Sequence, residues 1–179
     1  RQNVDDFIEK VKSIKTNNVA QDSFIPWDID SKYSADHIIE RGHLSVADNV
    51  TFRLQTEALR CFGFNGKGYQ KGAWTIPDKT GDWVWFPRLY LHNNWNNSLS
   101  NDGNHIYEKA TNEAGKISIA KQLEDFRKNR NGNCIVFAKA KDNLGLNLLR
   151  YVGTFKVNEN ESNEEQIRFD KIHDKEDIR

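Results

Sequence analysis

The chain has 179 residues, of which 37% are hydrophobic and 29% are charged, and its formal net charge is zero. This length and composition suit a polar globular protein with one real core, and no apolar run approaches the roughly 20 residues of a membrane span. Zero net charge argues against a protein held to nucleic acid mainly by bulk electrostatics, although one face can still be basic. We therefore expect a cytoplasmic protein with no membrane partner.

The counts of cysteine and methionine bear on redox state and on the extent of the chain. Cys61 and Cys134 lie far apart and match no metal-ligand spacing, which favours two reduced, buried thiols. There is no methionine and the chain begins with Arg1, which indicates a fragment or processed domain of a larger protein. We predict no essential metal and no other cofactor.

The first predicted elements are helical. An apolar stripe at helical spacing predicts a helix over Val4–Lys15. A second helix is predicted over Ser34–Arg41, with its first residue as N-cap and Gly42 as its stop. Alternating polarity then predicts a strand over Val50–Leu54, and four glycines make Phe62–Trp74 a region of turns.

Strand patterns dominate the remainder. Trp83–Leu91 is a strand candidate in which Pro87 indicates an edge or a bulge. An amphipathic helix is predicted over Ile117–Lys128. Three strands follow, at Cys134–Lys139, Leu148–Val157 and Gln166–Ile172, and a hairpin-length connection joins the first two.

These elements predict an α+β protein whose core is a strongly bent, mostly antiparallel, barrel-like sheet. A small helical N-terminal part precedes the sheet and one helix decorates it. The predicted division is a helical segment over residues 1–48 and a β-rich core over residues 49–179, with a single domain overall as the alternative.

The most informative segment is the aromatic-rich run Asp82–Glu108, which holds three of the five tryptophans. Trp83 and Trp85 share one face of the predicted strand, so we expect one face to meet the core and the other a cleft or a covering element. Four asparagines bracket Trp95, and amides beside an aromatic platform are typical of nucleobase recognition. Burial of every aromatic and turn formation by the asparagines would account for the same residues.

A basic turn, Arg127–Arg130, follows the last predicted helix and is the best candidate for contacts with phosphate. A solvated helix end explains the same residues equally well, because cations suit the helix dipole.

The strings VWFPRLY, NNWNNSLSNDGNHIYEK and CIVFAKAKDNLGLNLLRYVGTFKV resemble a β-rich module of bacterial restriction proteins, similar to the PUA and SRA group of barrels. The resemblance covers roughly residues 62–173. In such proteins the module lies beside nuclease or helicase domains, reads DNA, and can receive a flipped, modified base in an aromatic pocket. The resemblance implies a DNA-binding specificity module of a restriction or defence protein, with DNA, methylated or otherwise modified, and those neighbouring domains as partners.

Three roles follow for the candidate DNA-binding residues. Stacking surfaces would come from Trp83, Trp85, Tyr90 and Trp95. Hydrogen bonds would come from Arg88, Asn96, Asn97 and Ser98. Backbone phosphates would be positioned by Arg127, Lys128 and Arg130.

A competing motif lies upstream, where DHII, GHLS and DNV resemble the middle of an HNH-type ββα nuclease. Asp36, His37, His43 and Asn49 would then supply a general base and the ligands of a Mg²⁺ or Zn²⁺ ion. The downstream Asn or His ligand of such patterns is missing, because residues 52–61 contain neither. A capped helix followed by an exposed loop explains the motif without catalysis. A protein-interaction domain with buried aromatic residues is a further alternative.

Overall fold

The computed structural model describes residues 34–178, apart from residues 79, 142–144 and 146. The helices are α1 (Ala35–Arg41), α2 (Gln55–Arg60) and α3 (Glu113–Lys128), with short 3₁₀ helices at Val46–Asp48 and Glu159–Glu161. The strands are β1 (His43–Ser45), β2 (Thr51–Phe52), β3 (Ala73–Thr75), β4 (Trp83–Trp85), β5 (Leu91–His92), β6 (Trp95–Leu99), β7 (His105–Ala110), β8 (Cys134–Lys141), β9 (Asn147–Asn158), β10 (Gln166–His173) and β11 (Lys175–Asp177). No helix in this part of the chain combines the length and apolar character that crossing a bilayer requires.

One large sheet organises the described residues. Its strands follow the order β3-β4-β8-β9-β10-β7-β6-β5, with β2 also paired to β9, and β1 and β11 form a separate two-stranded sheet. The pair β4–β8 is parallel and the other pairs are antiparallel. The prediction of an α+β protein with a mostly antiparallel sheet is confirmed, and the strand order shows that the sheet is open rather than closed.

Strand β9 carries a β-bulge beside Gly153. One edge of β9 pairs with β8, while the other edge pairs with β10 near its end and with β2 near its start. The register between β8 and β9 shifts beside Gly153, whose φ is 126°. Because that backbone conformation favours glycine, the presence of glycine at position 153 favours a bulge there.

Both faces of β4 and β8 are buried. On one face Val84 and Phe86 pack with residues of α1 and α2 in what we call the α1–α2 core. On the other face Trp83 and Trp85 pack beneath α3 in what we call the α3 core. The predicted sharing of faces is therefore confirmed, and helices cover both faces, which corresponds to the predicted covering element.

Helix ends follow the capping rules used for the prediction. Ser34 accepts a hydrogen bond from the His37 N–H at 3.2 Å, and Gly42 ends α1 with a φ of 77°. Helix α3 begins at Glu113, earlier than predicted, because the Asn112 side chain accepts from the Gly115 N–H at 3.0 Å. Helix α2 and the strands β1, β3, β6, β7 and β11 are additional to the prediction, and the predicted strand Trp83–Leu91 is interrupted after Trp85 by the segment that contains Pro87.

The segment around α1 and β1 belongs to the same folded unit as the sheet. Ile38 and Leu44 have 0% exposure and lie in the α1–α2 core, and β1 pairs with β11. The predicted helix over residues 4–15 lies outside the described residues, so the division at residue 48 stays a prediction.

Candidate functional site

The β6–β7 hairpin carries polar side chains on the face that turns toward α3. Asn97 lies opposite Glu108 in the antiparallel register, and both side chains are buried. Trp95 occupies the same face of β6 two residues earlier. The hairpin thus places an indole, an amide and a carboxyl group side by side.

Hydrogen bonds in the connecting turn hold this hairpin in register. The Asp102 carboxylate accepts from the Ser100 hydroxyl at 2.6 Å and from the Asn104 N–H at 3.0 Å. These bonds hold the pKa of Asp102 at about 2, with the Ser100 contact contributing most. Gly103 completes the turn with a φ of 73°. The NDGNH segment is therefore a hairpin turn, as its composition indicates.

A cavity of about 310 Å³ lies between this hairpin and the segment that follows β4. Its lining includes two indoles (Trp85 and Trp95), two buried polar side chains (Asn97 and Glu108) and two cations (Arg88 and Lys139). Aromatic rings, hydrogen-bonding groups and positive charge are the features expected of a nucleotide site. We call this cavity the hairpin pocket.

Two acceptor atoms in the hairpin pocket have no hydrogen-bond partner among the described residues. They are Oε2 of Glu108 and Oδ1 of Asn97, whose residues are 6% and 4% exposed. Burial raises the pKa of Glu108 to about 7, and a hydrogen bond with Gln122 of α3 opposes the shift. Because buried polar atoms are normally satisfied, a donor of hydrogen bonds, from water or from a ligand, is expected beside these two atoms.

The four predicted stacking residues differ in burial and in their position relative to the pocket. Trp83 is 2% exposed and stacks on Phe126 with ring centroids 5.1 Å apart, so it lies in the α3 core and does not offer the exposed ring that was predicted. Trp85 is 8% exposed and packs against Phe169 at 4.8 Å, but it also lines the hairpin pocket. Trp95 is half-buried on the pocket wall. Tyr90 is exposed beside the pocket-lining residues of β5.

The predicted hydrogen-bonding residues of β6 are divided between two faces of the strand. Asn97 is buried in the pocket, whereas Asn96 and Ser98 are exposed on the opposite face. This separation follows from the two-residue period of a strand. Among these three residues only Asn97 meets the pocket.

The basic turn lies away from the pocket. It follows the end of α3, where the Asn133 N–H donates to Asp82 beside the start of β4, while the pocket lies beyond the end of β4. Each predicted cation has an acidic partner: Arg127 with Glu159 at 2.7 Å, Lys128 with Glu124 at 2.5 Å and Arg130 with Asp125 at 3.3 Å. The pairs of Arg127 and Lys128 are exposed and therefore weak, so these two cations stay available to a phosphate, whereas Arg130 is half-buried over the Trp83 ring.

The residues of the nuclease alternative take structural positions. Asp36 pairs with Arg60 at 2.6 Å, and the His43 ring contacts the Arg41 carbonyl at 3.2 Å. His37 lies in the first turn of α1, and Asn49 has a φ of 55° after the first 3₁₀ helix. Within the described residues no group of three or more His, Cys, Asp or Glu side chains could hold a metal ion. In this segment the four residues take part in helix capping, an ion pair and local turns.

Glu108 and Lys139 line the pocket but are not among the predicted site residues. The signal for Glu108 is the alternation from Ile106, which puts the carboxyl group on the buried face of β7. The signal for Lys139 is its place beyond the apolar part of β8, level with Arg88. Both residues can be assigned to the pocket only once the pairing of the strands is known.

The protein has an α+β fold in which helices cover both faces of an open sheet. This architecture is of the SRA and PUA type. The family model described as the SET and RING associated domain, SRA, matches residues 37–178, and the chain belongs to this family. The resemblance stated from the sequence motifs is thereby confirmed.

Two solved structures are similar to the chain. "The 5-Hydroxymethylcytosine-Specific Restriction Enzyme AbaSI" shares 30% sequence identity at a TM-score of 0.74, over 99% of this chain and 55% of that chain. This chain therefore spans about half the length of that enzyme. The "DNA recognition domain of the cytosine modification-dependent restriction endonuclease LpnPI" shares 8% identity at a TM-score of 0.45, over 70% of this chain and 71% of that chain, which is too low to support an argument. A comparison with curated protein sequences gave no match.

Proposed function

We propose that this chain is the DNA-binding specificity module of a bacterial restriction or defence protein, and that its hairpin pocket receives a modified cytosine extruded from the duplex. The observation that carries the proposal is the pair of buried acceptors without partners, Glu108 Oε2 and Asn97 Oδ1, in a cavity that also presents two indoles. The similarity to an enzyme named as 5-hydroxymethylcytosine-specific supports this choice of base.

The chemistry of the pocket favours cytosine over uracil or thymine. The exocyclic amine of cytosine carries two N–H bonds, which match two adjacent acceptors. Uracil and thymine present an oxygen at that position, and it would face Glu108 Oε2 and Asn97 Oδ1 without a hydrogen bond. The rings of Trp85 and Trp95 supply apolar walls for the extruded base.

The remainder of the restriction activity belongs, in this proposal, to other domains. Because the chain spans about half of its enzyme relative, a nuclease or helicase domain of the parent protein would supply cleavage or strand movement. The module itself would bind DNA in the cytoplasm and carry out no catalysis.

Duplexes that differ in a single base test the proposal. Fluorescence anisotropy would compare cytosine, 5-methylcytosine, 5-hydroxymethylcytosine and 5-hydroxymethyluracil in one sequence context. We expect one of the modified cytosines to bind at least about tenfold more tightly than cytosine, and 5-hydroxymethyluracil to lose that gain. Equal affinity for all four duplexes at every salt concentration would contradict the proposal and favour the protein-interaction alternative.

A pair of neighbouring asparagines provides a matched test of the pocket. Asn97→Ala should reduce the preference for the modified duplex by about ten- to a hundredfold, because the base loses one hydrogen bond worth about 1–3 kcal/mol. Asn96→Ala should keep the wild-type preference, since its side chain lies on the other face of β6. Thermal melting would confirm that both variants are folded. Equal loss of preference in the two variants would place base recognition elsewhere.

A further inference from the structure

The cationic side of the hairpin pocket supports an inference that rests on the proposed function and deepens it. We propose that Arg88 and Lys139 form a clamp for a phosphate group of the extruded nucleotide. The pocket then holds the nucleotide at two points, by the edge of its base and by its backbone charge.

The backbone fixes the two cations as neighbours. Arg88 and Lys139 form an isolated parallel bridge, and the Lys139 N–H donates to the Pro87 carbonyl at 2.7 Å. Pro87 is buried, which anchors the chain immediately before Arg88. Both side chains line the same cavity. Their proximity is therefore a property of the sheet framework and not of two flexible loops.

Two like charges stand together here without a counter-charge. Within the described residues, neither cation has a carboxylate within ion-pair distance, in contrast to Arg127, Lys128 and Arg130, which all have one. Burial lowers the pKa of Lys139, and the charge of Arg88 lowers it further. Glu108 lines the same cavity but forms no ion pair with either cation, and burial favours its neutral form by raising its pKa. Arg88 is exposed and Lys139 is partly buried, so an anion between them would relieve the repulsion of the two charges and compensate the desolvation of Lys139.

The opposite polarity of the two sides of the pocket identifies the anion. Asn97 and Glu108 present acceptors that require N–H donors, whereas Arg88 and Lys139 require an anion. A free phosphate would satisfy only the cations, and a free base would satisfy only the acceptors. A nucleotide carries both groups on one molecule, with Arg suited to two phosphate oxygens and Lys to a point charge.

A neutral phosphate analogue tests the clamp directly. Two 5-hydroxymethylcytosine duplexes would carry a methylphosphonate in place of the phosphate on the 5′ or the 3′ side of the modified nucleotide. We expect the wild-type protein to lose about tenfold in affinity for one of them. The double variant Arg88→Gln/Lys139→Gln should show a comparable loss on the natural duplex and no further loss on the methylphosphonate duplex. Lys121→Gln removes an exposed lysine of α3 and should keep the wild-type response.

The salt dependence of binding gives a second measurement. Loss of one phosphate contact should reduce the slope of log affinity against log salt by about 0.9 in the double variant. An unchanged slope, or losses that multiply on both methylphosphonate duplexes, would overturn the clamp. If the wild-type protein prefers the modified duplex while the losses multiply, the clamp alone is refuted. If the wild-type protein shows no preference for any modified base, the proposed function is refuted.

Discussion

Glu108 places a carboxyl group in a position where most folded proteins place an apolar side chain. It is 6% exposed beneath α3, and burial raises its pKa from 4.5 to about 7. An unfolded chain releases this proton near pH 4.5, whereas the folded chain retains it until about pH 7. Folding stability therefore falls as pH rises through this interval and remains lower above it. The protein keeps this costly group in the pocket where a ligand can satisfy it.

Removal of the ionisable group should change the dependence of stability on pH. We expect Glu108→Gln to be more stable than the wild type at pH 8, by up to about 3 kcal/mol, because a shift of one pKa unit corresponds to about 1.4 kcal/mol. The difference should shrink toward pH 5, where the wild-type carboxyl group is neutral in the folded state. Urea denaturation at the two pH values measures it.

An exposed glutamate serves as the comparison. Glu164→Gln, on the surface before β10, should change stability equally and only slightly at both pH values. If the stability difference between the Glu108→Gln variant and the wild type were the same at pH 5 and pH 8, Glu108 would not titrate in the interval given above.

At the scale of elements, the strands that were predictable are those with regular apolar alternation. The three predicted C-terminal strands agree with β8, β9 and β10 to within two residues at each end. Strands β6 and β7 escaped prediction because Asn97 and Glu108 occupy inward positions where alternation would place apolar residues. The polar side chains that line the pocket thus interrupt the apolar alternation from which its strands would be predicted.

The bulge in β9 is indicated in the sequence by a single residue, Gly153. Gly153→Ala should destabilise the fold by about 1–3 kcal/mol, because φ is 126° and the new Cβ would lie 3.0 Å from Lys171 Cε and 3.1 Å from the His173 carbonyl oxygen. Gly68→Ala is the comparison, since nothing lies within 4 Å of a Cβ there, and it should change stability by no more than about 0.5 kcal/mol. Thermal denaturation of both variants measures the contrast, and equal melting temperatures would show that the bulge tolerates a side chain.

At the scale of the molecule, the two cores share the strands β4 and β8, so we expect them to unfold together. Each core contains one buried cysteine, Cys61 in the α1–α2 core and Cys134 in the α3 core. Burial raises the pKa of Cys61 to about 12 and that of Cys134 well above its ordinary value, so neither thiol should react in the folded state. Alkylation followed by peptide mass spectrometry should show both cysteines modified at one common rate. Faster labelling of either cysteine would mean that its core opens independently.

The parallel pairing of β4 with β8 also dictates an order of assembly. The chain between these strands, residues 86–133, contains β5, β6, β7 and α3, and it forms a single crossover connection from one strand to its parallel neighbour. Closing so long a loop costs conformational entropy before stabilising contacts can form, so we expect this step to be among the slowest in folding. Most of the hairpin pocket lies on that crossover, while Lys139 lies beyond it on β8. Binding competence should therefore appear only after the crossover has docked, so DNA binding would mark that step in a refolding experiment.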